Sequence, residues 1–234
     1  MASSDAVQPG HRSGRGWIVA VVIFGLLAVV AVYTVDAPVV EWVHRVGLDR
    51  WAKKWNWVRK RGAIVWPGHF FCTLLIAGLV AWLHRTRWRG AVLLIVAGIF
   101  SGANSIIKWS VGRSRPEWKT GTPSFALHPF KGGIKGLFVQ ENLAFPSGDV
   151  ALAVAMAATL SYLMPRWAVA WWLMAAVVAF QRVAESSHHV SDVLGAAALG
   201  VAAFYCAQRV CRVLLHDKSV EPRGFTVVTP GEIE

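Results

Sequence analysis

Six apolar blocks divide this chain, and their lengths constrain what it can fold into. A helix needs about 20 consecutive, mostly apolar residues to cross the hydrocarbon core of a bilayer. The first block, Trp17 to Val35, contains no charge. The others run from about Ala63 to Leu83, from Ala91 to Ile107, from Val150 to Met164 (extendable back to Ser147), from Trp167 to about Phe180, and from Val193 to about Tyr205, continuing toward Leu215. The pattern predicts an all-α membrane protein, a bundle of six transmembrane helices with both chain ends on one side. The first block is too long for the core of a signal peptide, and no small-residue cleavage pattern follows at Tyr33–Asp36. It is predicted to be a retained helix.

Polar, Gly- and Ser-containing residues 1–16 read as a flexible tail, and residues 216–234, with Pro222, Gly224, Pro230 and Gly231, read as a second one. The membrane domain is therefore placed at 17–215. The net charge of +11 would suggest nucleic acid in a soluble chain. No nucleic-acid motif is visible, and basic residues that flank apolar spans meet anionic headgroups instead. Cys72, Cys206 and Cys211 lie in or beside apolar blocks without metal-site spacing, so they read as small buried residues.

With the N-terminus inside, the short loop His84–Gly90 carries a clear positive-inside signal, although most Lys and Arg residues then fall on the outer side. Many of those lie in residues 38–61. There Val39, Val40, Val43, Val46, Trp51, Trp55 and Val58 recur near helical spacing, interleaved with Arg50, Lys53, Lys54, Arg59, Lys60 and Arg61. Trp and Lys on one amphipathic stretch suit the lipid interface. An interfacial amphipathic helix is expected after the first span, with packing against other loops as the alternative.

Three polar constellations stand at the ends of the later blocks. The first is Lys108-Trp-Ser-Val-Gly-Arg113-Ser-Arg115-Pro116. A lysine at a helix end can simply snorkel to the interface. However, Pro116 fixes a turn beside Arg115, and an arginine fork matches phosphate oxygens. The second, Phe145-Pro146-Ser147-Gly148-Asp149, opens the fourth block. Free N–H groups at a helix start attract an anion, while Ser147 or Asp149 can equally serve as an ordinary N-cap. The third is Arg182-Val-Ala-Glu185-Ser-Ser187-His188-His189-Val-Ser191-Asp192. On a helix, His188 and Asp192 would share a face and hydrogen-bond, leaving the other imidazole nitrogen free to attack. A metal site would call for more carboxylates or thiols, whereas this one is rich in cations. Residues 108–148, between the first two constellations, form a long Pro- and Gly-rich loop of the kind that is often functional.

Taken together, the spacings Lys-x6-Arg-Pro, Pro-Ser-Gly-x and Arg-x5-His-x3-Asp resemble those of the type 2 phosphatidic acid phosphatase family, the membrane lipid phosphate phosphatases, over about residues 60–215. The resemblance implies a six-helix bundle in a bacterial inner (plasma) membrane, with its site at the extracytoplasmic face and no metal or other cofactor. It implies that His188 is the nucleophile, forming a phosphohistidine, and that Asp192 orients it. Lys108, Arg115, Arg182, Ser147 and the Gly148 amide would hold the phosphate. Membrane lipids and a lipid phosphate or diphosphate are the implied partners, and the oligomeric state stays open.

The chain departs from the family pattern at two positions. Gln181 replaces a Ser, and Asp149 replaces the His that protonates the leaving oxygen. Asp149 could act as the acid, could mark loss of function, or could be tolerated because the leaving group needs little protonation. A diphosphate has such a leaving group, so a polyprenyl diphosphate is favoured over a lipid monophosphate such as phosphatidic acid. His128 and His189 are the other candidate acids. A non-catalytic lipid-phosphate binder, a lipid phosphotransferase and a transporter are the competing functions. Against the transporter, the charges cluster at one membrane face and no paired broken helices appear at midplane.

Overall fold

The structure, a computed structural model, describes residues 15–54, 66–84, 87–116, 127–130, 133 and 143–214. Residues 1–14 of the expected first tail and the whole second tail lie outside the described residues, as do residues 55–61 of the basic Trp-containing stretch, residues 63–65 of the second apolar block and most of the loop 117–142, while Arg15 and Gly16, expected in the tail, belong to the first helix. All regular elements among the described residues are helical. They are α1 (Arg15–Thr34), α2 (Asp36–Arg45), α3 (Leu48–Lys54), α4 (Phe70–Leu83), α5 (Arg87–Ser101), α6 (Asn104–Val111), α7 (Gly148–Leu163), α8 (Ala168–Ala184, after a 3-10 turn at Pro165–Trp167) and α9 (Val190–Leu214).

Four helical segments are long and apolar enough to cross a membrane: Gly16–Thr34, Trp88–Val111, Pro165–Ala184 and Val190–Leu214. The helices Phe70–Leu83 and Gly148–Leu163 are apolar but shorter. At ~1.5 Å per residue they reach about 21 and 24 Å, against a hydrocarbon core of about 30 Å.

In three places the sequence expectation needs correction. The second block does not begin as a helix: Trp66–His69 form a turn, and Pro67 and Gly68 are the reason. The third block lies in one crossing segment, Trp88–Val111, but that segment is interrupted. It breaks at Gly102–Ala103, where the buried Ser101 hydroxyl donates back to the Gly98 carbonyl at 2.7 Å and a Gly follows. Finally, the described part of the amphipathic stretch, up to Lys54, forms two helices separated at Gly47, which adopts φ +70°. Val40, Val43 and Ala52 are buried, while Trp42, Val46 and Trp51 are exposed.

α7 is the centre of the bundle. Every side chain from Val150 to Leu160 is buried, as expected for a helix that is apolar all round. Its alanines let α5, α8 and α9 approach closely, and α1 packs against α9 on the far side. Helices in lipid associate through such close packing of small residues, because water drives nothing there. Gly200 of α9 marks the tightest crossing: a Cβ there would stand 2.6 Å from the Ala151 carbonyl oxygen and 2.8 Å from Val154 Cβ. On the opposite side of the bundle, Ile18, Val22, Leu26 and Val29 of α1 remain exposed, a face suited to lipid.

This packing predicts that Gly200→Ala destabilises the protein in detergent by about 1–3 kcal/mol, since backbone must move to admit the methyl group. Gly25→Ala, with nothing within 4 Å of the new Cβ, should be neutral or gain up to ~1 kcal/mol of helix propensity. Thermal melts of the two variants beside the parent check this, and equal melting temperatures would remove Gly200 as a packing constraint.

Candidate active site

The three constellations meet at one end of the bundle. The break at Gly102–Ala103 starts a new helix, α6, whose Asn104 and Lys108 lie four residues apart on one face. Both reach the start of α7: a Cβ on Gly148 would lie 2.6 Å from Asn104 Nδ2 and 3.6 Å from Lys108 Nζ. Gly148 is therefore the residue that lets an amine and an amide sit directly over the helix N-terminus. Arg115, Asp149 and Arg182 are close enough to act electrostatically on Lys108.

α6 ends at Gly112, in the left-handed conformation with φ +60°, its N–H donating to the Lys108 carbonyl at 2.7 Å. A Cβ at Gly112 would fall 1.9 Å from the His128 carbonyl oxygen, so only glycine fits both the dihedral and the space. The turn directs Arg113 inward. Its backbone carbonyl accepts the Ala144 N–H at 2.9 Å, and its side chain is buried beneath the site.

At the second constellation, Ser147 occupies the N-cap position of α7 but makes no cap bond. Its hydroxyl is buried and has no hydrogen-bond partner among the described residues. The ordinary-cap alternative therefore does not describe Ser147. Its backbone N–H instead donates to the Asp192 carbonyl at 3.1 Å, tying the start of α7 to the start of α9. Asp149 Oδ2 lies 3.6 Å from Arg182 Nε. Arg182 Nη1 donates to Glu185 Oε2 at 3.1 Å, and Gln181 Nε2 donates to the other oxygen of Glu185. Against Asp149 stands the Trp66–His69 turn: a Cβ on Gly68 would lie 2.6 Å from Asp149 Cβ.

His188 does not lie on a helix with Asp192. It sits in the turn between α8 and α9, after Ser186 at φ +53°. Its Nδ1 is 2.8 Å from the Ala144 carbonyl oxygen and 3.8 Å from Asp192 Oδ2. The expected Asp192 hydrogen bond is thus replaced by one to backbone, because the turn carries the imidazole off the helix face. A carbonyl only accepts, so Nδ1 carries the proton and Nε2 holds the lone pair. Burial pushes the His188 pKa down from 6.5 to about 4, aided by the cations of Arg182 and Lys108 and opposed by the Asp192 carboxylate. His188 is therefore a neutral imidazole near pH 7. Asp192 spends its oxygens elsewhere: Oδ2 accepts the His189 N–H at 2.8 Å and lies 3.1 Å from His189 Nδ1, and Oδ1 accepts from Arg113 at 2.6 Å.

Asp36, Arg113, Glu185 and Ser191 contribute buried polar contacts that the sequence pattern does not reveal. Asp36 carries one signal: a lone acid at the edge of an apolar block is expensive unless paired. Its partners, however, are more than 70 residues away.

A family model described as the PAP2 superfamily matches residues 87–212, the segment that holds all three constellations. This chain belongs to that superfamily and is an integral membrane protein. A lipid A 1-phosphatase of Rhizobium johnstonii is 32% identical over 114 residues, covering 48% of this chain and 44% of that protein. A second lipid A 1-phosphatase, from Rhizobium etli, is also 32% identical over 114 residues, covering 48% and 46%. The matched region spans less than half the length of these curated relatives. A solved PAP2-type phosphatidylglycerolphosphate phosphatase from Bacillus subtilis shares the fold, with a TM-score of 0.54 at 20% identity over 84% of this chain and 96% of that one.

The buried neutral His188 yields a pH prediction. Its folded pKa of about 4 lies below the ordinary 6.5. The unfolded chain therefore takes up a proton below pH ~6.5 that the folded chain refuses until pH ~4. This group's contribution to stability is intact above pH ~6.5 and declines as pH falls toward 4. Melting temperature in detergent should fall less steeply over that window in His188→Asn than in the parent. Identical slopes would mean that His188 is not held neutral.

Proposed function

We propose that this protein removes phosphate from a lipid phosphate or diphosphate at the membrane surface, through a phosphohistidine on His188. The observation that carries the proposal is the Nδ1–H to Ala144 carbonyl bond on a neutral, buried imidazole. It leaves Nε2 as the nucleophilic atom. In the first step Nε2 bonds to phosphorus while the bond to the lipid-side oxygen breaks. Water then cleaves the P–N bond, releasing phosphate and regenerating the imidazole.

Lys108, Arg115 and Arg182, with the Ser147 hydroxyl and the Gly148 amide, are the groups proposed to hold the phosphate oxygens. Phosphoryl transfer depends chiefly on positioning and charge neutralisation, which cations and backbone donors supply without a metal. The unpartnered, buried Ser147 hydroxyl supports this reading, as does the approach of Lys108 Nζ to the adjacent Gly148. In the proposed topology six helices cross a bacterial inner membrane, with the site at the extracytoplasmic end and α2–α3 along the interface.

Asp149 bears on the choice of substrate. It stands beside Arg182 where the family carries a proton-donating His. A diphosphate leaves as a phosphate, which needs little protonation, so a polyprenyl diphosphate is the favoured substrate. The relatives named for the 1-phosphate of lipid A add that lipid as a candidate. A second reading, a lipid-phosphate binder without turnover, is favoured by the same Asp149–Arg182 pair, because the carboxylate competes with phosphate for the cation.

Phosphate release from polyprenyl diphosphate, phosphatidic acid and lipid A, measured in detergent with chelator present, tests these readings. We expect chelator-resistant release, fastest from the diphosphate and lowered on the order of 10³-fold or more in His188→Ala. Asp149→His should raise monophosphate release by on the order of 10²-fold and change diphosphate release little. Release from monophosphates alone would sink the diphosphate preference. Release seen only after Asp149→His would make the parent chain a binder.

A further inference from the structure

Behind His188 lie three charged groups with almost no exposure: Asp36 at 0%, Arg113 at 4% and Asp192 at 0%. Arg113 joins the two carboxylates. Its Nη1 donates to Asp192 Oδ1 and to Ser191 Oγ, each at 2.6 Å, and its Nη2 donates to Asp36 Oδ2 at 2.9 Å. Asp36 also holds Ser191 directly, accepting its N–H on Oδ1 at 2.9 Å and its hydroxyl on Oδ2. Asp36 sits at the start of α2, directly after the first span and outside the region that the family model matches.

Both supports of His188 pass through Arg113. Its backbone carbonyl holds Ala144, whose own carbonyl accepts from His188 Nδ1, and its guanidinium holds Asp192, whose charge faces the same nitrogen. We propose that Asp36 is a positioning residue of this site, setting through Arg113 and Ser191 the placement of the His188–Asp192 turn. The proposal rests on the reading of His188 as the nucleophile.

Two physical arguments support it over a purely structural pair. Burying three charges costs several kcal/mol per ion before pairing, and a packed apolar trio would serve stability as well or better. In addition, one guanidinium shared by two carboxylates leaves a net negative charge beneath His188, which favours the cationic imidazole ring that forms on phosphorylation. With Asp36 neutral, Arg113 would cancel Asp192 completely and Ser191 would lose a charged acceptor. Asp36 touches none of the groups proposed to hold phosphate, so its loss should act on turnover and spare binding.

Steady-state phosphate release from the full-length protein in detergent tests this, with Asp36→Asn, Arg113→Gln, the double variant, and Val43→Ala as a stability control. Val43 is buried on α2 and makes no part of the network. We expect Asp36→Asn to lower kcat about 10- to 100-fold with KM within about twofold. The double variant should be no slower than the slower single, as for residues acting in one chain of contacts. Val43→Ala should lower the melting temperature yet keep kcat. The proposal is overturned by a full kcat in Asp36→Asn, by additive losses in the double variant, or by Val43→Ala losing as much kcat as Asp36→Asn. Absence of turnover in both the parent and Asp149→His would instead reject the hydrolase reading, and this proposal with it.

Discussion

A helix buried on every side has to be made of small residues, and in α7 that constraint sets the positions of its neighbours. Its alanines and valines are enclosed by α5, α8 and α9, so its axis is held where close contact allows. At Gly200 the neighbouring helix comes near enough that even a methyl group would meet backbone. Because the helix is held so firmly, so is its first turn. Ser147, Gly148 and Asp149 project from the most tightly packed part of the molecule, and the Ser147 N–H bond to the Asp192 carbonyl carries that constraint to the start of α9. Catalytic groups need placement to a fraction of an ångström, and helix ends anchored in a packed core provide it.

The polar end of the bundle obeys a second constraint. Charge is costly near a membrane unless paired or used. Asp36, Arg113 and Asp192 are linked, and Arg182 is shared between Glu185 and Asp149. The arrangement forms two tiers. The lower tier is closed, with both oxygens of Asp36 and of Asp192 engaged. The upper tier, around Lys108, Gly148, Ser147 and Arg182, is where a buried hydroxyl stands without a partner among the described residues. In the function proposed above, anion binding falls to the upper tier and orientation of His188 to the lower.

Asp149 stands at the boundary of chemistry and specificity. Its carboxylate lies 3.6 Å from Arg182, and its Cβ packs on Gly68 of the Trp66–His69 turn. A side chain packed this closely by Gly68 is part of the site's architecture. Under the proposed function, its chemistry fits a reaction whose leaving group needs no proton, which connects one residue to the class of lipid proposed as substrate.

The apolar blocks and the three motifs were legible in the sequence because both are local. A run of about 20 apolar residues declares a span whatever surrounds it, and Lys108, Ser147, Arg182 and His188 sit in short patterns whose spacing carries the family likeness. Within these blocks, Ser101 and Gly102 broke one helix and Pro67 and Gly68 delayed another, local signals that hydropathy alone outweighs. What only the tertiary structure decided were the partners. The turn at Ser186 lifts His188 off its helix and onto the Ala144 carbonyl, and Asp36 meets Ser191 across 155 positions of sequence. No periodicity encodes such pairs, since they exist only once packing has brought the starts of α2, α7 and α9 and the end of α6 together.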